Sequence, residues 1–351
     1  MALTQKQIEQ IKDELITCKR PLFFFHDDPD GVACFLLFYK IVGEGKGVII
    51  KTTPRIDEKF IHKVDEYQPD KIFILDIAMV EQEFLDAVKV PVIWVDHHAP
   101  QQRQKVKYFN PRVANIEDNF PASYICWQVV KNDIPEDLWI AAIGSIGDWF
   151  MPDFADEFSE QYPDLLSQEV RNPDEALFNT KLGTLTKVFS FVLNGQAIDA
   201  MKCVKVLTRI KTPYEILDEE SSAGKFIFHK YEMMNEIYQK LLKKALGRKV
   251  PEDVFHFIYS GSTSFTKDLA NELLYRNPNR IIVVGRKKGD EIKMSIRSGM
   301  GPIPEVLEKS LIGVEGFGGG HEYACGAVVK EKDFKKFLAN LKKEFFGDKV
   351  K

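Results

Sequence analysis

A short polar cluster near the N-terminus contains residues that could do chemistry. It reads HDDPDG over residues 26–31, and His26, Asp28 and Asp30 within it are spaced two residues apart. In an extended segment that leads from a strand into a loop, this spacing points the three side chains to one side. Convergent carboxylates are costly unless cations neutralise them, and imidazole with carboxylate suits manganese, iron or zinc. The cluster therefore indicates a metal site.

The same cluster also fits an ordinary polar turn between a strand and a helix. In that alternative, Asp30 caps a helix that starts near Gly31. Short motifs often match by chance, and on this motif alone we favour the turn. Further clusters along the chain change the balance.

Other side chains able to bind metal follow later apolar runs. Asp76 ends the run IFIL, and Asp96, His97 and His98 follow the run VIWV. Each could be an ordinary polar residue at a strand end, but three such coincidences strain that explanation. Asp148 is a fourth candidate, because the glycines of GSIG before it would permit close approach to other backbone. Together these residues favour one metal cage.

Hydrophobic alternation predicts the elements that must position this cage. Apolar runs rich in Phe, Ile and Val predict strands at 22–26, 47–51, 71–76 and 90–96. Segments 31–42 and 56–67 between them have amphipathic helical spacing. Such alternation predicts a parallel sheet, whose ligand sites lie beyond the carboxyl ends of the strands. The polar clusters stand at such ends, so we expect them to converge.

The second half of the chain is organised differently. Strand signals fade between about residues 152 and 248, and 231–246 has the spacing of a helical connector. The acidic, proline-punctuated run 154–172 predicts a surface excursion or lid. A second alternating pattern predicts strands at 254–259, 280–285, 291–297 and 324–330. A second, smaller α/β domain is therefore expected.

Composition narrows the class of protein. A chain of 351 residues is long enough for two domains with their own cores. It has no apolar run near the roughly 20 residues of a membrane span and no export signal, so we expect a cytoplasmic protein. Five scattered cysteines fit a reducing interior. A net charge of -4 disfavours extensive grip on duplex DNA, so any contact with nucleic acid must be local.

Two motifs of the second domain could bind phosphate. The glycine-rich segment 316–321 could cradle an anion with its backbone N–H groups, and His321 could donate to a phosphate oxygen. A tight turn between strands explains this segment equally well. Arg297 followed by Ser298 could contact phosphate in bidentate fashion, although a lone strand arginine is usually solvated surface. Neither motif decides between its alternatives alone.

A local basic cluster in this acidic chain comprises Arg286, Lys287, Lys288 and Lys293. A charged hairpin that turns at 288–290 is the favoured explanation. The consecutive phenylalanines of the first predicted strand lie in an apolar run and are expected in the core. Single-strand recognition by base stacking therefore cannot be predicted from the sequence.

The combination of motifs resembles the DHH phosphoesterases, a family named after the triplet present here at 96–98. The order of all four motifs matches, and GGGH at 318–321 and SIRS at 295–298 resemble signatures of a C-terminal DHHA1 domain. The resemblance implies an α/β fold with an N-terminal parallel-sheet DHH domain, a helical connector, a smaller α/β DHHA1 domain and an active site in the cleft between the domains. On this basis we divide the chain into a DHH catalytic domain, a connector and a DHHA1 substrate-binding domain at 1–185, 186–250 and 251–351.

The resemblance also implies roles for individual residues. It assigns one metal to His26, Asp28 and Asp76, and a second to Asp30, Asp76, His97 and Asp148. Asp76 would bridge the ions, and Asp27 at the variable position has no ligand role. Asp96 would orient the cage and His98 would lie near the substrate phosphate, so these two and His321 form the predicted catalytic set. The predicted substrate-binding residues are Arg297, Ser298, Gly318, Gly319, Gly320 and His321.

The implied chemistry is hydrolysis of a phosphoester bond. Two divalent cations, with manganese preferred and magnesium or cobalt as alternatives, could hold a water as hydroxide and neutralise charge on the phosphate. No GxSxG motif supports a covalent nucleophile. The HxDxD spacing argues against the pyrophosphatases and polyphosphatases of the family, which use HxxxDxD. We therefore predict an exonuclease that releases mononucleotides from single-stranded DNA or RNA.

Two alternatives stay open. In size the chain is similar to nanoRNase/pAp-phosphatases, which would act on short oligonucleotides, and to compact archaeal RecJ-like nucleases; bacterial RecJ has an additional OB-type domain. A non-catalytic replisome scaffold would have lost metal ligands, whereas every ligand position is filled here. The resemblance makes replication or repair proteins plausible partners, and it leaves cleavage polarity and the choice between DNA and RNA open.

Overall fold

The computed structural model describes residues 2–51, 54–248 and 254–347. The chain forms two compact units, Met1–Glu232 and Met233–Lys351. Within the described residues, no helix has the length and apolar character that crossing a membrane would require.

The first unit contains a five-stranded parallel sheet. The strands of this unit are β1 (Pro21–His26), β2 (Lys46–Ile50), β3 (Arg55–Ile56), β4 (Lys71–Leu75), β5 (Met79–Val80), β6 (Val92–Val95) and β7 (Lys107–Phe109). Strands β3 and β5 pair with each other, and the remaining five lie in the order β2-β1-β4-β6-β7, all parallel. The predicted parallel sheet is confirmed.

The strand order reverses between β1 and β4. From β1 the chain crosses to β2 on one side, and it then returns to β4 on the other side of β1 before continuing outward to β6 and β7. Open parallel sheets bind ligands beyond the carboxyl ends of strands at such a reversal. The ends of β1, β4 and β6 are therefore the expected place for a site.

Helices cover this sheet in layers. The helices of the first unit are α1 (Gln5–Ile16), α2 (Pro29–Val42), α3 (Ile61–Tyr67), α4 (Gln82–Ala87), α5 (Ala122–Val130), α6 (Leu138–Gly147), α7 (Ala155–Gln161), α8 (Pro173–Asn179), α9 (Lys181–Val192), α10 (Ala197–Leu207) and α11 (Pro213–Leu217). Helix α12 (Ser222–Leu246) begins in the first unit and ends in the second. Helices α10 and α11, which fall in the predicted connector, thus belong to the first unit.

Helix α2 lies in the centre of the first unit rather than on its surface. Phe35 and Phe38 pack edge-on against Phe23 and Phe73 of the sheet, with ring centroids 5.5 and 6.0 Å apart. Helices α5 and α6 pack on α2 as well. The amphipathic helix predicted here is wrong in character, because the run VACFLLF is apolar on all sides and is buried on all sides.

Two other expectations are corrected. The helix predicted at 56–67 starts only at Ile61, because its first residue pairs within the small β3–β5 sheet. The run 154–172 is not a surface excursion, since Phe158 and Leu165 are buried in the core. Its acidic residues are spaced between apolar ones that anchor the segment.

The second unit is an α/β domain, as predicted. Its strands are β8 (Val254–Ser260), β9 (Ile281–Lys288), β10 (Glu291–Ser298), β11 (Gly316–His321) and β12 (Ala324–Lys330). They lie in the order β11-β12-β10-β9-β8, with β8 and β9 parallel and the other pairs antiparallel. Its remaining helices are α13 (Thr266–Arg276), α14 (Pro304–Ser310) and α15 (Phe334–Phe346).

The two faces of this second sheet differ. On one face, Ile292, Met294 and Ile296 pack in a core with Leu307 of α14 and Phe337 of α15. The opposite face of β10 meets α13, where the Ser295 hydroxyl donates to the Thr266 hydroxyl over 3.1 Å. Helix α13 contacts β9 and β10, whereas β11 is an edge strand at the other end of the sheet from β8.

Candidate metal centre

The HDDPDG motif joins β1 to α2. It caps the helix, and it places its polar side chains at the end of the strand. Asp28, not Asp30, caps the helix, because its Oδ1 accepts the Gly31 N–H over 3.1 Å. Gly31 is required for this turn, since a Cβ there would lie 2.6 Å from the carbonyl oxygen of His26. The close approach leaves the side chains of the motif at the carboxyl end of β1.

A first ligand group consists of His26, Asp28 and Asp76. His26 Nδ1 lies 3.0 Å from Asp28 Oδ2 and 3.3 Å from Asp76 Oδ2. One ligand atom from each of the three lies within 4.8 Å of the others. Asp76 has a left-handed backbone with φ of 56°, which few residues other than Gly, Asn and Asp adopt readily. This conformation occurs directly after β4, where the predicted bridging carboxylate is needed.

A second ligand group consists of Asp30, His97 and Asp148. His97 Nε2 lies 4.0 Å from Asp30 Oδ2, and His97 Nδ1 lies 3.6 Å from Asp148 Oδ2. The same Nε2 is 3.4 Å from Asp76 Oδ1, the oxygen that the first group does not use. Asp76 therefore lies between the two groups, with one oxygen toward each. The structure brings all six predicted ligand side chains together.

Asp30 is held by the start of α5. Its Oδ2 accepts the Ala122 N–H and its Oδ1 accepts the Ser123 N–H, both over 2.9 Å, and the Ser123 hydroxyl also donates to Oδ1. A carboxylate at a helix N-terminus is stabilised by the helix dipole and the unpaired N–H groups. These partners were missed in the sequence, where they stand more than 90 residues from Asp30 and match no motif.

Asp148 reaches the centre because α6 lies close to α2. A Cβ on Gly144 would be 2.7 Å from the Ala33 Cβ, and one on Gly147 would be 2.8 Å from the Pro29 Cβ. Both glycines thus make room for side chains of other segments, whereas the sequence predicted close approach to other backbone. Asp148 follows as the residue that ends the helix.

Asp96 and His98 form a hydrogen-bonded pair beside the two ligand groups, and His98 also forms a third possible ligand group with Asp76 and His97. Asp96 Oδ1 lies 2.7 Å from His98 Nδ1, and Asp96 Oδ2 accepts from Tyr108 Oη over 3.2 Å and from Asn110 Nδ2 over 3.3 Å. Asp96 is fully buried. It fixes the His98 ring through Nδ1, which suits the predicted orienting role. The supporting Tyr108 and Asn110 gave no signal in the sequence.

Burial and neighbouring charges shift the pKa values of the side chains in the centre. Burial raises the pKa of Asp30, and the neighbouring Asp76 carboxylate raises it further. Burial lowers the pKa of His26, but the Asp28 and Asp76 carboxylates together outweigh this and hold it well above its usual value. The carboxylates around His97 have the same net effect on its pKa. The centre therefore attracts positive charge.

Several buried polar atoms of the centre lack a hydrogen bond. Within the described residues these include His26 Nδ1, Asp76 Oδ1 and His97 Nδ1. A buried polar atom without a partner is costly, and cations bound in the two ligand groups would supply partners there. Carboxylate oxygen with imidazole nitrogen is a donor set for divalent metals. The residues present therefore fit a metal centre.

Asp27, the residue without a predicted ligand role, has another partner. Lys51 Nζ lies 3.1 Å from Asp27 Oδ2 and also donates to the Leu193 carbonyl over 2.6 Å. The ion pair directs Asp27 toward β2 and the end of α9. The other oxygen, Asp27 Oδ1, lies 3.6 Å from His26 Nε2 of the first ligand group, so the absence of a ligand role for Asp27 stays a prediction.

In the second unit, Arg297 is half-buried and held by its own domain. Its Nε donates to Asn271 Oδ1 over 2.7 Å, and its Nη1 donates to the Ile296 carbonyl over 2.9 Å. Burial lowers the pKa of Arg297 to about 10, so the guanidinium stays charged at neutral pH. The Ser298 hydroxyl accepts the N–H groups of Met300 and Gly301, at 3.1 and 3.2 Å, and so shapes the following turn.

The glycine-rich segment is neither a loop nor a turn. It forms β11, an edge strand paired with β12 from Gly316 to His321. Gly318 faces the core, where a Cβ would meet Leu307 at 3.1 Å, and Gly320 has a φ of 151°. The side chain of His321, predicted as catalytic and phosphate-binding, lies outside the described residues.

The basic cluster is a charged hairpin, as favoured from the sequence. Strands β9 and β10 are antiparallel around the two-residue turn of Gly289 and Asp290. Lys287 forms an ion pair with Glu331. Arg286 Nη1 donates to the Ser262 carbonyl over 2.6 Å.

Comparisons with known proteins agree with this architecture. Residues 259–346 match the DHHA1 domain model. A search of curated proteins found no match to the sequence. RecJ from Thermus thermophilus, solved in complex with Mn²⁺, superposes with a TM-score of 0.70 at 16% identity over 100% of this chain and 56% of that one. The chain therefore spans little more than half of that RecJ.

This chain superposes on nearly the whole length of two further structures. An exonuclease RecJ bound to manganese superposes with a TM-score of 0.59 at 16% identity, over 100% of this chain and 97% of that one. CDC45 from Entamoeba histolytica superposes with a TM-score of 0.55 at 10% identity, over 97% and 99% of the two chains. At these identities the neighbours establish the fold alone. Residues 259–346 are thus similar to a DHHA1 domain, and the whole chain has a RecJ-like fold, as predicted.

Proposed function

We propose that this chain is a metal-dependent phosphodiesterase that degrades single-stranded nucleic acid as an exonuclease and releases mononucleotides. The observation that carries the proposal is the position of Asp76, whose two oxygens lie 3.3 and 3.4 Å from imidazole nitrogens of two different ligand groups. A carboxylate shared in this way is what a pair of neighbouring metal ions requires. The name of a structural neighbour, exonuclease RecJ bound to manganese, supports the same class of reaction.

The ligand groups define which residues would hold metal. His26, Asp28 and Asp76 would bind one divalent cation, and Asp30, Asp76, His97 and Asp148 a second, with manganese preferred over magnesium or cobalt. When bound, the cations would supply a hydroxide at neutral pH and neutralise charge on the phosphate. Imidazole in both groups favours manganese over magnesium.

The chain's own residues would bind and orient the substrate. Asp96 accepts a hydrogen bond from His98 Nδ1. Burial lowers the pKa of His98, but the Asp96 carboxylate outweighs this and raises it, so the protonated ring would be able to donate from Nε2 to a phosphate oxygen. In the DHHA1 domain, Arg297 would contribute charge, and those N–H groups of Gly318, Gly319 and Gly320 that point away from β12 would offer donors to phosphate. His321 would add a further donor.

A length series tests the proposal. The purified chain is incubated with Mn²⁺, Mg²⁺ or Co²⁺ and with DNA and RNA labelled at either end, from dinucleotides to long single strands. We expect mononucleotides to be released from strands of all lengths, with Mn²⁺ the best cofactor. Asp76→Asn is the inactive control, and Asp27→Asn is the matched control outside the cage.

Two outcomes would replace the proposal. Cleavage confined to the shortest oligonucleotides, falling steeply with length, would identify a nanoRNase or pAp-phosphatase with a closed pocket. No product from any substrate, with metal bound and the protein folded, would identify a non-catalytic scaffold of the same fold.

A further inference from the structure

An exposed aromatic residue lies on the outer strand of the DHHA1 sheet. Phe317 is 70% exposed and forms no ring contact with another described residue. Its direct partner across β11 and β12 is Val328, whose partner on β10 is Lys293. Directly paired residues of antiparallel strands project from the same face. Phe317, Val328 and Lys293 therefore form one row on the face that does not contain the apolar core.

The next row on the same face contains two glycines, Gly319 and Gly326, whose flat surface we call the floor. Gly319 pairs with Gly326, which pairs with Ser295. Nothing lies within 4 Å of a Cβ built on Gly319, and only the Met294 carbonyl, at 3.8 Å, lies near one on Gly326. Neither glycine has a positive φ. Unlike Gly318 and Gly320, these two have no reason in the fold to lack a side chain, although glycine weakens a strand.

Two positively charged side chains lie beside the floor. Lys293 and Arg297 lie two residues to either side of Ser295 on β10, so they project from the same face. Within the part of the chain that the structure describes, Lys293 forms no ion pair, and the hydrogen bonds of Arg297 go to neutral groups. Neighbouring strands are about 4.8 Å apart, which places the Lys293 backbone about 10 Å from that of Phe317. A flat aromatic ring, an empty floor and positive charge thus occur together.

We infer that Phe317 is a stacking platform for a nucleobase of a single-stranded nucleic acid. The base lies against the exposed ring beside Gly319 and Gly326, and the sugar–phosphate backbone runs toward Lys293 and Arg297. Every base has a π-face, so this contact binds single strands without requiring a sequence. The inference rests on the substrate class of the proposed function. It adds a base contact to a site otherwise built for phosphate.

The test compares strands with and without bases. Fluorescence anisotropy measures Kd for a labelled single strand and for an abasic strand of equal length, with Asp76→Asn in every protein to block cleavage. Phe317→Ala is expected to weaken binding of the normal strand by about 5- to 150-fold, the loss of one stacked base. Phe317→Ala should change binding of the abasic strand by less than about twofold, because that strand has no base to stack. Phe317→Tyr should bind the normal strand as the parent protein does, because tyrosine keeps the aromatic ring. An equal loss on both strands, or no loss on either, would overturn the inference.

Two further variants separate stacking from structure. Ile312→Ala removes an apolar side chain that is 71% exposed near α15 on the core side, and it should leave both affinities unchanged. Gly319→Ala should leave thermal stability unchanged or higher but weaken binding of the normal strand, because the methyl group occupies the floor. Unchanged binding by Gly319→Ala would count against the floor as part of the site.

Failure of the inference and failure of the proposed function give different results. If the wild-type chain cleaves single strands and Phe317→Ala binds them normally, the function stands and the stacking platform is wrong. If the wild-type chain cleaves nothing but Phe317→Ala selectively loses affinity for base-containing strands, the platform stands and the exonuclease is wrong. The cleavage and binding measurements use the same protein preparations.

Discussion

Asp96 and His98 are joined twice, since Asp96 Oδ1 lies 2.7 Å from His98 Nδ1 and Asp96 Oδ2 accepts the His98 backbone N–H over 3.2 Å. Among the described residues, Asp96 forms its ion pair with His98 and none with His26 or His97 of the ligand groups. The pair therefore orients one imidazole at the metal centre, where His98 Nδ1 also lies 3.8 Å from Asp76 Oδ1 and where Asp76, His97 and His98 form a further group that could hold an ion.

Asp96→Asn should lower kcat by about 10- to 100-fold while leaving bound metal unchanged, because such supporting contacts orient a site without ligating. Turnover of a labelled single strand and metal content by mass spectrometry give the two values. Tyr108→Phe, which removes one neutral donor to Asp96, is the milder control. A loss of bound metal in Asp96→Asn would place Asp96 inside the cage.

Asp76→Asn should abolish turnover and weaken binding of both metals, because each of its oxygens lies toward a different ligand group. Asparagine tolerates the left-handed backbone at this position, so the fold should persist. Isothermal titration with Mn²⁺ measures the loss, and Asp27→Asn serves as control because it changes an adjacent carboxylate that has no predicted ligand role. Near-normal activity of Asp76→Asn would remove Asp76 from the centre.

Affinity for Mn²⁺ should rise with pH. The pKa values of His26 and His97 are held well above the usual value by their carboxylate neighbours, so in the metal-free protein these rings keep their protons to higher pH. A metal ion must displace those protons, which makes binding weaker as pH falls and releases protons on binding. Titrations in two buffers of different ionisation enthalpy count the protons. A Kd that is independent of pH would contradict imidazole ligation.

Arg297→Lys should raise KM more than it lowers kcat. Lysine keeps the charge but lacks the planar fork, and losing one charge-assisted hydrogen bond of about 1.5 kcal/mol raises KM about tenfold. Steady-state kinetics on a short oligonucleotide gives both parameters. Because Arg297 also binds Asn271, thermal unfolding of the variant must be measured beside the kinetics. An unchanged KM would exclude Arg297 from substrate binding.

Gly31→Ala should destabilise the first unit by about 1–3 kcal/mol, the usual cost of forcing an extra methyl into packed structure. Its Cβ would lie 2.6 Å from the His26 carbonyl oxygen, which outweighs the better helix propensity of alanine. Urea denaturation of the two variants Gly31→Ala and Gly319→Ala measures the contrast, because nothing lies near Gly319. Equal stabilities would show that the β1–α2 turn can relax.

The sequence by itself determined four of the five strands of the first sheet, all but β7, and the polar residues at the ends of three of them. Strands such as 71–75 are short apolar runs bounded by turn residues, and parallel sheets place their ligand sites at the carboxyl ends. Both signals are local, so they can be read without knowing the fold. The same locality explains why the hairpin at Gly289 was predicted correctly.

Only the tertiary structure decided how these residues are supported. Asp30 is held by Ser123, and Asp96 by Tyr108, through contacts between segments that folding brings together. The glycine-rich segment became an edge strand because β12 supplies its hydrogen bonds, although glycine has little intrinsic preference for strands. The exposure of Phe317 follows from that pairing. Local pattern fixes which residues can do chemistry, whereas packing between distant segments fixes their partners and their exposure, because those depend on neighbours that no local window contains.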